Sequence, residues 1–175
     1  MVVLFEDETI LRLFPVLRRS WSYEGEQAPV LISGRNAQRV LFCALNPKSG
    51  RRLVMVRKGM WQENFQDFLK LLHQHYHSPV YLILDKAGLH TAKESQRLAR
   101  DLHVELVWLP KQCPELNCVD QLFKCLKQDV SANHQYKTIV EHARAAEKYL
   151  YNLTKEQVLT KAGVLSKNFW LKNKM

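Results

Sequence analysis

Five short apolar segments, separated by amphipathic or polar stretches, are the main constraint on how this chain can fold. Each has the length of a β-strand and ends at charged or turn-forming residues. The segments are Val2–Glu6, Arg39–Leu45, Arg51–Arg57, Val80–Leu84 and Val104–Leu109. The second and third flank a turn-rich stretch at 46–50, which predicts a hairpin. The fourth is apolar throughout, as is typical of a central strand covered on both faces.

Between and after these strands, the periodicity changes to that of helices. Trp61–Tyr76 spaces its large apolar residues three and four apart, which predicts an amphipathic helix. Thr91–Leu102 is predicted as a second helix with Thr91 as its N-cap. A third is predicted in Leu116–Lys127, where Asn117 is in position to cap it. A short helical segment is also expected at Thr9–Leu17.

The resulting order, three strands followed by alternating helices and strands, predicts an α/β fold of the ribonuclease-H-like type. Its mixed five-stranded sheet would combine three antiparallel strands with two parallel ones, because helix-linked strands favour right-handed parallel crossovers. In that sheet the first and fourth strands are neighbours. We expect a single domain over residues 1–175, with a core at 1–134 and a C-terminal helical extension at 135–175 whose tail, from Asn168, frays.

Charge indicates a polyanionic partner. The 175-residue chain has a formal net charge of +9, and residues 121–175 contain ten Lys or Arg against four Asp or Glu. Such an excess is ordinary on a solvated helical surface, but it also suits contacts with DNA phosphates. The four cysteines form no C-x-x-C pair, so reduced thiols are expected and a zinc site is disfavoured. No apolar run is long enough for a membrane span, and the first residues lack the features of a signal peptide.

Three acids occupy positions from which they could form one metal site. Asp7 and Asp85 each follow a predicted strand, and Asp120 lies early in the third predicted helix. Two or three convergent carboxylates are enough for Mg²⁺, which prefers oxygen ligands and retains several waters. Without metal, three such carboxylates are expected to repel one another. The pattern favours phosphodiester chemistry, although each acid alone could be an ordinary surface residue.

The sequence around these acids resembles the DDE transposases, in particular the bacterial insertion-sequence relatives of mariner. The first matching block is Phe5-Glu-Asp7-Glu8 with 18–21 and 25–29, and the second is Leu82-Ile-Leu-Asp85-Lys-Ala-Gly-Leu-His90. The third runs from Leu109 through Pro114-Glu-Leu-Asn117-Cys-Val-Asp120 to Lys127. The 34 residues between Asp85 and Asp120 are also typical of this superfamily.

The resemblance implies a transposase catalytic domain that cleaves DNA at transposon ends and transfers the freed strand to target DNA. It implies Mg²⁺ or Mn²⁺, in two ions, as cofactor, double-stranded DNA as partner, a homodimer, and a cytoplasmic, nucleoid-associated location if the host is bacterial. The family's N-terminal helix-turn-helix region is missing from this sequence, so we expect DNA binding without strong sequence preference. The site residues fall into three groups: catalytic and metal-binding Asp7, Asp85 and Asp120; supporting or substrate-contacting His90, Asn117 and Glu8; and DNA-binding Lys86, Lys124 and Lys127.

This sequence departs from the family pattern at four positions. Lys86 replaces an Asn or Gly, Cys118 a Pro and Phe123 a Trp, while Asp120 stands where the bacterial group has Glu and mariner has Asp. Two alternatives therefore stay open: a catalytically inactive DNA-binding remnant of a transposase, and another ribonuclease-H-like nuclease.

Overall fold

The computed structural model describes residues 1–26, 29–30 and 32–171. Positions 27 and 28 of the first family block, and the last four residues of the tail, lie outside the described residues. The strands are β1 Val2–Arg12, β2 Gln38–Leu45, β3 Arg52–Arg57, β4 Val80–Leu84 and β5 Val104–Trp108. The helices are α1 Gln62–His75, α2 Gly88–Thr91, α3 Lys93–Asp101, α4 Cys118–Leu126, α5 Ile139–Asn152 and α6 Lys155–Lys161.

The five strands form one mixed sheet in the order β3-β2-β1-β4-β5. β1 pairs antiparallel with β2, and β2 antiparallel with β3, whereas β1 pairs parallel with β4, and β4 parallel with β5. The predicted combination of three antiparallel and two parallel strands is therefore confirmed, as is the contact between the first and fourth strands.

Helices cover both faces of the sheet, and strand alternation decides which side chains face which layer. On one face, Leu4 and Phe42 pack with Phe65 and Phe68 of α1. On the other, Phe5, Leu41 and Cys43 pack with apolar residues of α4, α5 and α6. The C-terminal helices thus share a hydrophobic core with the sheet. Within the described residues, no helix is both long and apolar enough to cross a membrane.

The predicted helix at Thr9–Leu17 is wrong, because β1 continues through this segment to Arg12. β1 pairs with β2 from Phe5 opposite Leu45 to Arg12 opposite Gln38. Hydrogen bonds to a neighbouring strand satisfy the backbone here, and this non-local pairing overrides the weak local helix pattern.

The predicted second helix, Thr91–Leu102, is confirmed as α3, Lys93–Asp101, but its N-cap is Ala92, where ψ is 135°, and not Thr91 as predicted. The Thr91 hydroxyl donates to the Ala87 carbonyl in the preceding turn, at 3.1 Å, instead of capping α3. Thr91 ends α2, a separate short helical turn at Gly88–Thr91 that the sequence did not predict.

The tail differs from the expectation of fraying over the part that the structure describes. The Trp170 indole N–H donates to the Leu116 carbonyl at 2.9 Å, and its ring meets Phe5 edge-on with centroids 6.0 Å apart. These contacts hold the segment against the turn that precedes α4.

Asn117 caps α4, as predicted, and also ties the helix to the sheet. Its Oδ1 accepts from the Val119 N–H at 3.1 Å, and its Nδ2 donates to the Glu6 carbonyl of β1 at 2.8 Å. One buried side chain thereby fixes the start of α4 against β1.

We expect Asn117→Ala to destabilise the fold by about 2 kcal/mol, because both the cap and a buried hydrogen bond are lost. Asn117→Ser retains a capping oxygen but no amide donor, so its loss should be smaller by about 1 kcal/mol. Urea unfolding followed by tryptophan fluorescence measures both. Equal losses would show that capping contributes nothing here.

Candidate active site

β1 carries three consecutive acids whose side chains alternate between the two faces of the sheet. Glu6 and Glu8 lie near His90, whose ring contacts Phe65 of α1 with centroids 4.5 Å apart. Asp7 points to the opposite face, where it lines a cleft together with Asp120 of α4. Only the alternation of a strand separates neighbouring carboxylates in this way, so the extension of β1 beyond Glu6 is essential to the site.

The parallel pairing of β1 with β4 brings Asp7 and Asp85 together. Val2 to Phe5 of β1 lie opposite Val80 to Ile83 of β4. Two residues further on, the same register sets Asp7 beside Asp85, the first residue after β4. The sequence predicted that Asp7 directly follows the end of its strand, which is wrong, because β1 continues to Arg12. The two acids meet because β4 ends just before Asp85 while β1 continues past Asp7.

Asp120 reaches the same place from α4. It lies in the first turn of the helix, which Asn117 anchors to β1. Its Oδ2 forms an ion pair with Lys124 Nζ at 2.7 Å, one helical turn further along.

The three acids line one cleft of about 130 Å³ at the carboxyl end of β4. Its wall includes the loop after β5, where Gln112 has a positive φ of 58°. A non-glycine residue in this conformation is uncommon and costs about 1–3 kcal/mol, so surrounding contacts must hold the loop in place. The other lining residues are Leu109, Gln112, Cys113, Pro114 and Asn117.

Electrostatics distinguish Asp7 from Asp85. Burial, followed by the negative charge of Glu8 with smaller contributions from Asp120 and Asp85, raises the pKa of Asp7 from 3.8 to about 7. The expected repulsion between the acids therefore acts on Asp7. The hydrogen bond from His90 is the main reason that the pKa of Asp85 is lowered, despite partial burial.

His90 connects Asp85 with the acids on the other face. It is only 1% exposed, which leaves it inaccessible to a phosphate group. Its Nδ1 lies 3.0 Å from Asp85 Oδ1, and its Nε2 lies 2.9 Å from Glu8 Oε1. Burial disfavours the charged imidazolium, but the hydrogen bonds with Asp85 and Glu8 and the charge of Glu6 raise the pKa of His90 to about 11. Glu8 is consequently a mostly buried neighbour of His90 and not a surface residue.

The three lysines expected to contact DNA differ in exposure. Lys86 and Lys124 are exposed and Lys127 is half-buried. Lys124 forms an ion pair with Asp120, so its ammonium group lies at the cleft, whereas Lys86 is placed near the cleft only by its position directly after Asp85.

Sequence reasoning missed Glu6 as part of this region. Its side chain is buried on the face opposite Asp7, and burial together with the charge of Glu8 raises its pKa well above the usual value. Strand alternation was the available signal, because a residue one position from Asp7 must face the other side.

Comparison with known proteins identifies the family of this chain. Residues 2–141 match the family model described as DDE superfamily endonuclease. The match spans most of the chain, and the protein belongs to this family.

Individual relatives are transposon proteins. The chain is 27% identical over 136 residues to the insertion element IS630 uncharacterized 39 kDa protein of Shigella sonnei, covering 76% of this chain and 40% of that protein. The mariner Mos1 paired end complex with Mg superposes with a TM-score of 0.75 at 15% identity, over 97% of this chain and 54% of that one. The Mos1 strand transfer complex superposes with a TM-score of 0.74 at 14% identity, over 95% of this chain and 52% of that one.

At these identities the structural likeness establishes the fold, which is the ribonuclease-H-like architecture predicted from the order of elements. The chain spans about half the length of the Mos1 chains, and less than half of the curated relative.

The raised pKa of Asp7 makes the stability of the metal-free protein depend on pH. The folded state binds this proton more tightly than the unfolded state, so the stabilisation is complete below pH 3.8 and is lost as pH rises through about 7. Asp7→Asn carries no charge and avoids this loss. We expect the variant to gain stability over the wild type as pH rises from 5 to 8, by an amount on the order of 1–4 kcal/mol.

Thermal unfolding in the presence of a chelator measures this difference. Glu105→Gln, which changes an exposed acid on β5, is the matched control and should show no such trend. A stability difference between Asp7→Asn and wild type that is the same at both pH values would contradict the account.

Proposed function

We propose that this chain is a transposase catalytic domain, which cleaves DNA at transposon ends and transfers the freed 3′ end to target DNA. One observation carries the proposal: in a member of the DDE superfamily endonuclease family, Asp7, Asp85 and Asp120 line a single cleft. The Mos1 structures are described as a paired end complex with Mg and a strand transfer complex, which supports the same type of reaction here.

The proposed cofactor is Mg²⁺ or Mn²⁺, in two ions. The donor set fits, because all three acids offer carboxylate oxygens, the ligands that hard cations prefer. The pKa of Asp7 is raised first by burial and then by the charge of neighbouring acids, and a bound cation would favour its ionised form. Asp7, Asp85 and Asp120 would together hold the ions.

Bound divalent cations supply a lowered pKa for the attacking water or hydroxyl and charge stabilisation for the leaving oxygen. The protein's own contribution is positioning. Asp7 is fixed by the two strands that flank β1, Asp85 by its hydrogen bonds, and Asp120 by the capped start of α4. These rigid supports hold the carboxylates before the substrate arrives.

The proposed substrate is double-stranded DNA, held by lysines around the cleft. Lys124 places its ammonium group beside Asp120, exposed Lys86 directly follows Asp85 in the chain, and Lys127 lies just after α4. A homodimer acting on two paired ends is part of the proposal, by analogy with the Mos1 complexes.

We expect Asp120→Asn to abolish Mg²⁺-dependent cleavage of DNA bearing the element's ends, because a neutral amide is a poor partner for a divalent cation. Asp120→Glu should also lower activity, since the added methylene misplaces the carboxylate in a site that needs near-octahedral geometry. A nicking assay with purified variants measures both, and Asp85→Ala serves as the inactive reference.

The same series separates the alternatives. A Glu variant that is more active than wild type would identify Asp120 as a decayed position and favour an inactive remnant. An unaffected Asn variant would remove Asp120 from the site.

Binding of DNA without metal should be strongly salt-dependent, with log affinity falling by about 0.9 per log unit of salt for each phosphate neutralised. Lys86→Gln and Lys127→Gln should each reduce the slope by about 1. Lys70→Gln, on α1 across the sheet, is the control and should leave it unchanged. A slope unaffected by the first two variants would exclude these lysines from the DNA contact.

A further inference from the structure

The Asp85 carboxylate is bound unsymmetrically. Its Oδ1 accepts from the Ala87 N–H at 2.8 Å and lies 3.0 Å from His90 Nδ1. Among the described residues, no hydrogen bond to Oδ2 occurs. One oxygen is therefore engaged by the protein, and the other is left for a ligand in the cleft.

His90 is itself held from behind. Its Nδ1 faces two oxygens of Asp85, the carboxylate and the main-chain carbonyl at 3.1 Å, so this nitrogen carries a hydrogen. Its Nε2 faces Glu8 Oε1, whose side chain is 5% exposed, and lies 3.5 Å from Glu6 Oε2. Phe65 packs against the ring. The imidazole is thus fixed at both nitrogens and on one face.

Glu6 adds an unusual element to this arrangement. Its side chain is fully buried, and neither of its carboxylate oxygens has a hydrogen-bond partner among the described residues. At 3.5 Å from His90 Nε2, the Glu6 carboxyl group lies against the imidazole and limits its movement on that side.

We propose that Glu8 and His90 form a positioning bridge that runs from the face of the sheet covered by α1 to Asp85 and makes this acid bind a catalytic cation through Oδ2 alone. This inference rests on the proposed function, because it concerns the same Asp85. Groups that orient metal ligands in this way typically contribute a factor of about 10–100 in metal affinity or activity.

Two substitutions of His90 separate the two ends of the bridge. The amide nitrogen of Asn lies as many bonds from the backbone as Nδ1 of His, whereas the amide nitrogen of Gln corresponds to Nε2. His90→Asn can therefore keep the donor to Asp85, and His90→Gln keeps only the contact with Glu8. A role in packing alone would make the two variants equivalent.

The measurement is Mn²⁺ binding to the purified chain, followed by electron paramagnetic resonance without DNA. We expect His90→Gln, which loses the donor to Asp85, to weaken binding at least about 10-fold, and His90→Asn, which keeps that donor but loses the contact with Glu8, to weaken it only about threefold. His142→Gln is the matched control, because His142 is also buried but contacts Ser131 and the Arg12 carbonyl instead of Asp85. It should leave Mn²⁺ affinity unchanged.

If thermal unfolding shows that neither His90 variant folds, Mn²⁺ binding by Glu8→Gln tests the bridge instead. It keeps the size of the side chain and removes the charge behind His90, so Mn²⁺ binding should weaken in the same direction. Unchanged affinity in Glu8→Gln, or equal affinities for folded His90→Gln and His90→Asn, would overturn the bridge.

Asp85→Asn distinguishes this failure from failure of the proposed function. Wild-type Mn²⁺ binding that Asp85→Asn abolishes, with His90→Gln unaffected, would refute the bridge and leave the function standing. Binding that Asp85→Asn does not change would contradict the proposed function and the bridge with it. The ligand atoms of Glu6, Glu8 and His90 lie within 4.8 Å of one another. If Glu8→Gln alone loses one equivalent of bound Mn²⁺, these residues bind a separate cation, and the bridge is overturned.

Discussion

The parallel pairing of β1 with β4 is the contact on which the rest of the site depends. It sets Asp7 beside the end of β4, where Asp85 begins the loop to α2. A shift of one residue in this register would turn Asp7 toward α1 and bring Glu6 or Glu8 into the cleft. The apolar residues of β1 on both faces make such a shift costly, because Leu4 and Phe5 are each fully buried in separate layers.

Asp7 and Asp85 differ in their electrostatic environment. Asp7 faces the cleft and has a raised pKa, so a bound cation would favour its ionised form. Asp85 is stabilised by hydrogen bonds before any cation binds. Because Asp85 is anchored by hydrogen bonds, the site keeps its geometry without metal. Because the ionised form of Asp7 is disfavoured, binding of a metal ion still lowers the free energy of the site.

The strands and their order were predictable because each is a local apolar run, and Val80–Leu84 was located to the residue. The full length of β1 could not be predicted from the sequence, since its second half is determined by pairing with residues of β2 that lie about 30 positions away. The short helix α2, which carries His90 to Asp85, was likewise not predicted from the sequence. The local pattern was enough to identify Asn117 as a helix cap. Its hydrogen bond to Glu6 could not be predicted, because the two residues are far apart in the sequence.

For the candidate site, motif spacing was enough to select Asp7, Asp85 and Asp120, and their roles stay predictions. Glu6 escaped notice because an acid inside an apolar strand was interpreted as the strand's end. Its burial depends on α1 and α2 closing over that face, which only the tertiary structure reveals.

A crystal structure of this chain soaked in Mn²⁺, with anomalous diffraction recorded at the manganese edge, tests the central claim most directly. The account predicts anomalous density in the cleft between Asp7 and Asp85, on the Oδ2 side of Asp85, and further density toward Asp120. Density confined to the Glu6, Glu8 and His90 side of the sheet, or none beside Asp7 at saturating Mn²⁺, would contradict it.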